Sequence, residues 1–134
     1  MLVWETDPSM RETAPRAAFA DVWCALPKVV FSRTLDRVEG NARLARGSLA
    51  DEVATAREAT DRDVAVGGAD LAAQAVDLGL VDELRIFRYP VLVGGGTPFT
   101  PPVAGTVPLD LIETRTFGSR VIFERYGRGV LEPD

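Results

Sequence analysis

Two short stretches of the chain carry residue types whose spacing suits chemistry. Val64, Ala65 and Val66 run straight into Gly67 and Gly68, and a helical pattern starts at Ala69 and continues through Asp70 and Leu71. A strand that ends in two glycines and turns into a helix bares backbone N–H groups at the positive end of the helix dipole, with no side chain to hold off a pyrophosphate. That is the geometry of a nucleotide site. The stretch is not a full G-x-G-x-x-G, and paired glycines also make plain tight turns. Asp70, in the first helical turn, favours the helix but repels a phosphate set close to it.

The second stretch is Ser32, Arg33 and Thr34, which follows Lys28-Val29-Val30-Phe31. The β-branched and aromatic run reads as a buried strand, so the polar triplet falls at its carboxyl end. Ligands of open α/β sheets gather at that end, and an arginine beside two hydroxyls offers charge-assisted donors for a phosphate. The plainer reading is a surface arginine at a strand end.

Composition removes other classes. The chain has no histidine, so neither a serine-histidine triad nor a histidine metal site is available. Cys24 is the sole cysteine, which excludes an intrachain disulfide, and no basic residue flanks it to favour a thiolate. It reads as a small buried or half-buried thiol. A formal charge of −5 and a sequence pI near 4.8 disfavour a nucleic-acid backbone or an anionic membrane as the main partner. The start of the chain has no cationic segment followed by a long apolar run, and no stretch approaches the ~18 apolar residues of a membrane span. A cytoplasmic protein is expected.

The elements around the two stretches follow from periodicity. With 134 residues and 46% hydrophobic content, one globular domain is expected over residues 1–127, with a tail at 128–134. Met1, Leu2, Val3 and Trp4 set bulky apolar residues at the start with no cap before them, as if the chain began in mid-element. After a turn at Thr6-Asp7-Pro8-Ser9, the apolar spacing Phe19, Val22, Trp23, Leu26 predicts an amphipathic helix ended by Pro27. Asn41 to Arg46 suits a short edge strand, and Ser48 with Asp51 suits a capping box opening a helix through about Ala59. The charges of that helix, Asp51, Glu52, Arg57 and Glu58, read as a solvated face.

Val64–Val66 reads as a strand buried on both faces, and the helix from Ala69 ends near Leu78, with Gly79 as a left-handed cap and Leu80 as its apolar contact. A strand is expected over Leu84–Val93, with a sharp bend at Gly94, Gly95 and Gly96. Thr97 to Pro108 reads as a proline-rich loop. Leu109–Thr116 and Arg120–Tyr126, joined by Phe117-Gly118-Ser119, read as an antiparallel hairpin.

The run GGADLAAQAVDLGLVDELRIFRYPVLVGGGTP, preceded by KVVFSRTL, resembles the C-terminal reductase domain of bifunctional riboflavin-biosynthesis deaminase-reductases, in the dihydrofolate-reductase-like superfamily. The likeness extends from about Trp4 to Tyr126. It implies an α/β fold with a mixed central sheet flanked by helices, NADPH as cofactor, and commonly a homodimer. The activity implied is hydride transfer to a small heterocyclic or sugar-derived substrate, like 5-amino-6-(5-phosphoribosylamino)uracil reductase. Carried over by position, Gly67 and Gly68 match the family's glycine pair beside the pyrophosphate, a pair joined by a cis peptide in dihydrofolate reductases. Ala69, Asp70 and Leu71 follow as the helix start near the phosphates. Ser32, Arg33 and Thr34 match the segment at the adenosine end, where they would distinguish NADPH from NADH.

Members of the family begin with a strand, a helix, a second strand and a G-R-x-T-Y-E-like segment, none of which precedes Met1 to Trp4 here. Those two strands are interior in the family's sheet, so the sheet is expected to be in pieces with unpaired edges. The expectation is an N-terminally shortened domain, with Met1 an internal methionine. No catalytic acid is named: Asp82, Glu83 and Glu113 read as surface carboxylates. Two other classes remain open, a non-catalytic nucleotide-binding module and a packing or dimerisation domain in which both glycine segments are only turns.

Overall fold

The computed structural model describes residues 3–130 except 101 and 104, in two compact units, Met1–Thr55 and Ala56–Asp134. In the first, α1 (Val3–Thr6) leads into a 3-10 turn at Pro8–Arg11, where the Asp7 carboxylate accepts the Ser9 N–H at 2.9 Å. Met1 and Leu2, part of the apolar start, lie outside the described residues. Helix α2 (Ala14–Ala25) opens on Thr13, whose Oγ1 accepts the Arg16 N–H, and stops before Pro27, as its spacing predicts.

The apolar stripe of α2 is less covered than its periodicity suggested. Ala20 is fully buried, but Phe19, Val22 and Leu26 stay 46%, 58% and 50% exposed. What holds the helix is a ring cluster: Phe19 lies 4.5 Å from Trp4 and 6.1 Å from Trp23 between centroids. Cys24 is half-buried, with its Sγ 3.9 Å from Trp4 O.

Lys28 opens β1 (Lys28–Val30), and its Nζ reaches Glu5 Oε1 at 3.3 Å while sitting 5.1 Å from the centre of the Trp23 ring. That one ammonium ties α1, α2 and β1 together. Strand β2 (Ala42–Leu44) pairs with β1 in parallel, Val30 opposite Leu44, and the ladder is lengthened by Ala45 N–H to Val30 O at 2.9 Å. Strand β1 is shorter than its apolar run and half-buried. Ser48 and Asp51 then form the expected capping box at the start of α3 (Leu49–Glu58): Ser48 Oγ accepts the Asp51 N–H, and the Asp51 carboxylate accepts the Ser48 N–H, each at 3.2 Å.

The second unit holds α4 (Ala69–Asp77), β3 (Glu83–Arg88), β4 (Leu109–Thr116) and β5 (Ile122–Arg128). Helix α4 ends in a Schellman motif: Leu80 N–H bonds Ala75 O and Gly79 N–H bonds Val76 O, both at 2.9 Å, with Gly79 at φ 68°. The strands form an antiparallel sheet in the order β3-β5-β4. The β4–β5 hairpin turns through Phe117–Arg120, with Arg120 N–H on Phe117 O and Arg120 left-handed at φ 61°. Gly127 and Arg128 complete β5, so the strand runs into the stretch read as a tail.

Parallel and antiparallel pairing thus both occur, beside helices, in two separate sheets, the discontinuity expected of this sheet. Two strand readings need correction. Val64–Val66 belongs to no ladder, and Val64 and Val66 are 43% and 42% exposed. An apolar triplet is buried as a strand only by neighbours on both sides, and it has none among the described residues. Strand β3 stops at Arg88 instead of Val93, after which Tyr89, Val91, Leu92 and Val93 are exposed. The bend at Gly94–Gly96 is present, with all three at positive φ.

Candidate functional site

In the second unit, Gly67 and Gly68 lead into the nine residues of α4. Gly68 is the N-cap at φ 91° and ψ 126°, a conformation that suits glycine, and no side chain caps the helix there. No heavy atom lies within 4 Å of where a Cβ on either glycine would sit. Glycine at 67 is therefore not demanded by crowding inside this chain. The peptides here are trans; no cis bond occurs among the described residues, unlike the pair in dihydrofolate reductases. Asp70 is exposed, and its Oδ2 accepts from Gln74 Nε2 at 3.3 Å, one turn along its own helix. Ala69 is exposed and Leu71 half-buried.

Ser32, Arg33 and Thr34 lie in the first unit, just beyond the carboxyl end of β1, and all are exposed. Ser32 Oγ accepts the backbone N–H of Thr34 at 3.2 Å and of Leu35 at 3.1 Å, and lies 3.5 Å from Thr34 Oγ1. Ser32 therefore shapes the turn that displays its neighbours. The Arg33 guanidinium makes no hydrogen bond or ion pair with any described residue.

Two carboxylates read as solvated are not. Glu52 is 7% exposed. It receives Arg43 in a two-pronged pair, at 3.1 Å on Oε1 and 2.5 Å on Oε2, and its Oε1 also accepts the backbone N–H groups of Arg46 at 2.6 Å and Gly47 at 3.2 Å. The Arg43 bonds, then the Arg46 N–H, hold its pKa down to about 2. Glu83 on β3 bonds Arg125 on β5 and Arg85, and these bonds, Arg125 first, hold it down to about 2 as well. The arginine that grips Glu52 comes from β2 and the first partner of Glu83 from β5, and no local pattern marks either pair. Asp82 pairs with Arg57, and Glu113 lies 3.0 Å from Arg115.

The parallel pair, the antiparallel triple and the helices beside them define an α/β domain of the dihydrofolate-reductase-like kind. Residues 2–123 match the model of the RibD C-terminal domain, and the chain belongs to that family. It is 35% identical over 96 residues to uncharacterized protein YyaP of Bacillus subtilis (strain 168), covering 71% of this chain and 51% of that protein. The chain thus spans about half the length of the curated relative it matches. Among solved structures, a putative riboflavin biosynthesis protein from Shewanella sp. PV-4 superposes with a TM-score of 0.70 at 22% identity, over 86% of this chain and 71% of that one. A pyrimidine reductase-like protein from Corynebacterium diphtheriae gives a TM-score of 0.54 at 18% identity, over 76% and 49%. Both share the fold. No described helix is long and apolar enough to cross a membrane.

Proposed function

We propose that the chain serves an NADPH-dependent reductase of a small heterocyclic or sugar-derived substrate, of the type that carries out the reductase step of riboflavin biosynthesis. The observation that carries this is the bare glycine opening of α4, in a chain of the RibD C-terminal domain family. Gly67, Gly68 and the first turn Ala69–Leu71 would hold the pyrophosphate through backbone N–H groups. Arg33, unpaired and displayed by the Ser32 turn, would hold the 2′-phosphate, with Thr34 beside it. Bound NADPH supplies the hydride.

The chain's own part is to bind and orient. Asp70 is engaged by Gln74, which draws its carboxylate along α4. Glu83, ionised down to about pH 2 by its arginines, is unsuited to donate a proton at neutral pH, and Asp82 is tied to Arg57. No catalytic acid is assigned to either. A homodimer in the cytoplasm, without nucleic acid, belongs to the same proposal.

The exposed, unladdered Val64–Val66 run into Gly67 favours one second reading, a module that binds the nucleotide without turning it over. Titration with NADPH and NADH, followed by nicotinamide fluorescence, tests both. Saturable binding supports the cofactor site, and oxidation of NADPH in the presence of a pyrimidine substrate separates the reductase from the module. Binding of neither nucleotide leaves both glycine segments as turns.

A further inference from the structure

The run that leads into the glycine pair has a single ionic fastening. Residues 61–67 belong to no helix or strand, and no heavy atom lies near enough to the missing Cβ of Gly67 to set its orientation. Among the described residues, the one hydrogen bond or ion pair that joins this run to another element is Arg85 Nη2 on Asp63 Oδ2, at 2.8 Å.

Arg85 is itself held from behind. It stands on β3 opposite Arg125 of β5, which stands opposite Glu113 of β4. Two guanidinium groups side by side repel, and Glu83 bridges them: its Oε2 accepts Arg85 Nη2 at 3.0 Å and Arg125 Nε at 2.9 Å. Asp63 is thus the outer end of a chain of charges rooted in the antiparallel sheet. It lies four residues before Gly67, a reach of at most about 14 Å of extended backbone. Helix α4 fixes the other end, where Gly68 O accepts the Ala72 N–H at 2.9 Å. Val64–Gly67 is therefore a span held at both ends, by an ion pair at one and a helix at the other. Releasing the ion pair returns backbone freedom that a ligand must then remove on binding.

We infer that Arg85 is a positioning residue for the Gly67–Gly68 turn, acting through Asp63 to pre-set the backbone that meets the pyrophosphate. The inference rests on the pyrophosphate reading of that turn and adds the sheet residue that aims it. Because NADPH and NADH share the pyrophosphate, the effect falls on both alike, unlike that of Arg33. The side chains of Asp63 and Arg85 are 76% and 49% exposed, so the effect is a modest one.

The test compares the full chain with its Asp63→Asn, Arg85→Ala and Arg88→Ala variants and with the Asp63→Asn, Arg85→Ala double variant. Circular dichroism checks that each keeps the parent's secondary structure. Backbone amide NMR relaxation of the nucleotide-free proteins reads the order of Val64–Gly68, and titration with NADPH and NADH reads affinity. Loss of an exposed ion pair predicts that Asp63→Asn and Arg85→Ala each lower the order of those amides and weaken both nucleotides by about 2- to 5-fold, with the NADPH-to-NADH ratio unchanged. The double variant is expected to lose no more than the larger single loss, since both substitutions remove one interaction. Arg88→Ala, which breaks the pair with Glu124 between the same two strands, is expected to change neither reading. Unchanged order in both single variants, or lowered order with unchanged affinity, overturns the inference and leaves the pyrophosphate reading standing. If the parent binds neither nucleotide, both fall together.

Discussion

Arg43 on β2 grips Glu52 on α3 through two parallel bonds, Nη1 to Oε1 at 3.1 Å and Nη2 to Oε2 at 2.5 Å. The same carboxylate closes the turn between the two elements by accepting the Arg46 and Gly47 N–H groups. One acid thus joins a strand, a turn and a helix. Its role is architectural, and it depends on the carboxylate being charged.

That dependence sets a pH response. Glu52 and Glu83 are held at about 2 in the fold against an ordinary value of 4.5, so the unfolded chain takes up their protons first as pH falls. Their stabilisation is complete above about pH 4.5 and is lost on descending toward pH 2. Thermal melts across that window should show a steep fall in midpoint. Glu52→Gln should lower the midpoint at neutral pH and flatten its acid limb; an unchanged limb in both Glu52→Gln and Glu83→Gln would contradict the assignment.

Gly79 is required for its backbone. At φ 68°, an added Cβ would meet Arg128 Nη2 at 2.8 Å, a flexible tip that can move aside, so the cost is mainly that of a left-handed residue. Gly79→Ala should destabilise by about 1–2 kcal/mol in denaturant unfolding, and Gly79→Asn by less.

Arg120 presents the reverse case. It is exposed and left-handed at φ 61° in the turn between β4 and β5, a conformation glycine takes freely. Arg120→Gly should raise stability by about 0.5–1 kcal/mol, after the entropy cost of glycine is set against the relief. Chemical denaturation of the pair of proteins reads it directly.

Much of the second unit was legible in the sequence because its signals are local. Gly79 and Leu80 announce the end of α4, and the hairpin strands flank a short turn. The capping box of Ser48 and Asp51 was legible in the first unit for the same reason. The misread segments depend on partners in other elements of the fold. Val64–Val66 has the composition of a buried strand, yet a strand exists only through its neighbours. Glu52 and Glu83 looked solvated because Arg43 reaches one from a strand and Arg125 reaches the other from 42 residues away. At the candidate site, the types and order of Ser32–Thr34 and Gly67–Leu71 were legible. The Ser32 turn became visible only once the ladder of β1 and β2 was in place.

The two glycines should separate by experiment. Gly67 has open space around its missing Cβ and no positive φ, so Gly67→Ala should change stability by less than about 0.5 kcal/mol. Gly68, at φ 91°, should cost about 1–3 kcal/mol as alanine. If a pyrophosphate lies on this backbone, Gly67→Ala weakens NADPH and NADH alike while leaving the fold intact. A Gly67→Ala protein that binds both nucleotides as the parent does would remove the pyrophosphate from this turn.

The central claim is that this chain takes NADPH, with Arg33 reading the 2′-phosphate, and a fluorescence titration of the parent and Arg33→Ala proteins with NADPH and NADH tests it most directly. A charged contact worth roughly 1.5–3 kcal/mol predicts that the parent prefers NADPH by about 10-fold or more and that Arg33→Ala abolishes the preference. Equal affinity of the parent for both nucleotides, or a preference that survives the substitution, would contradict it.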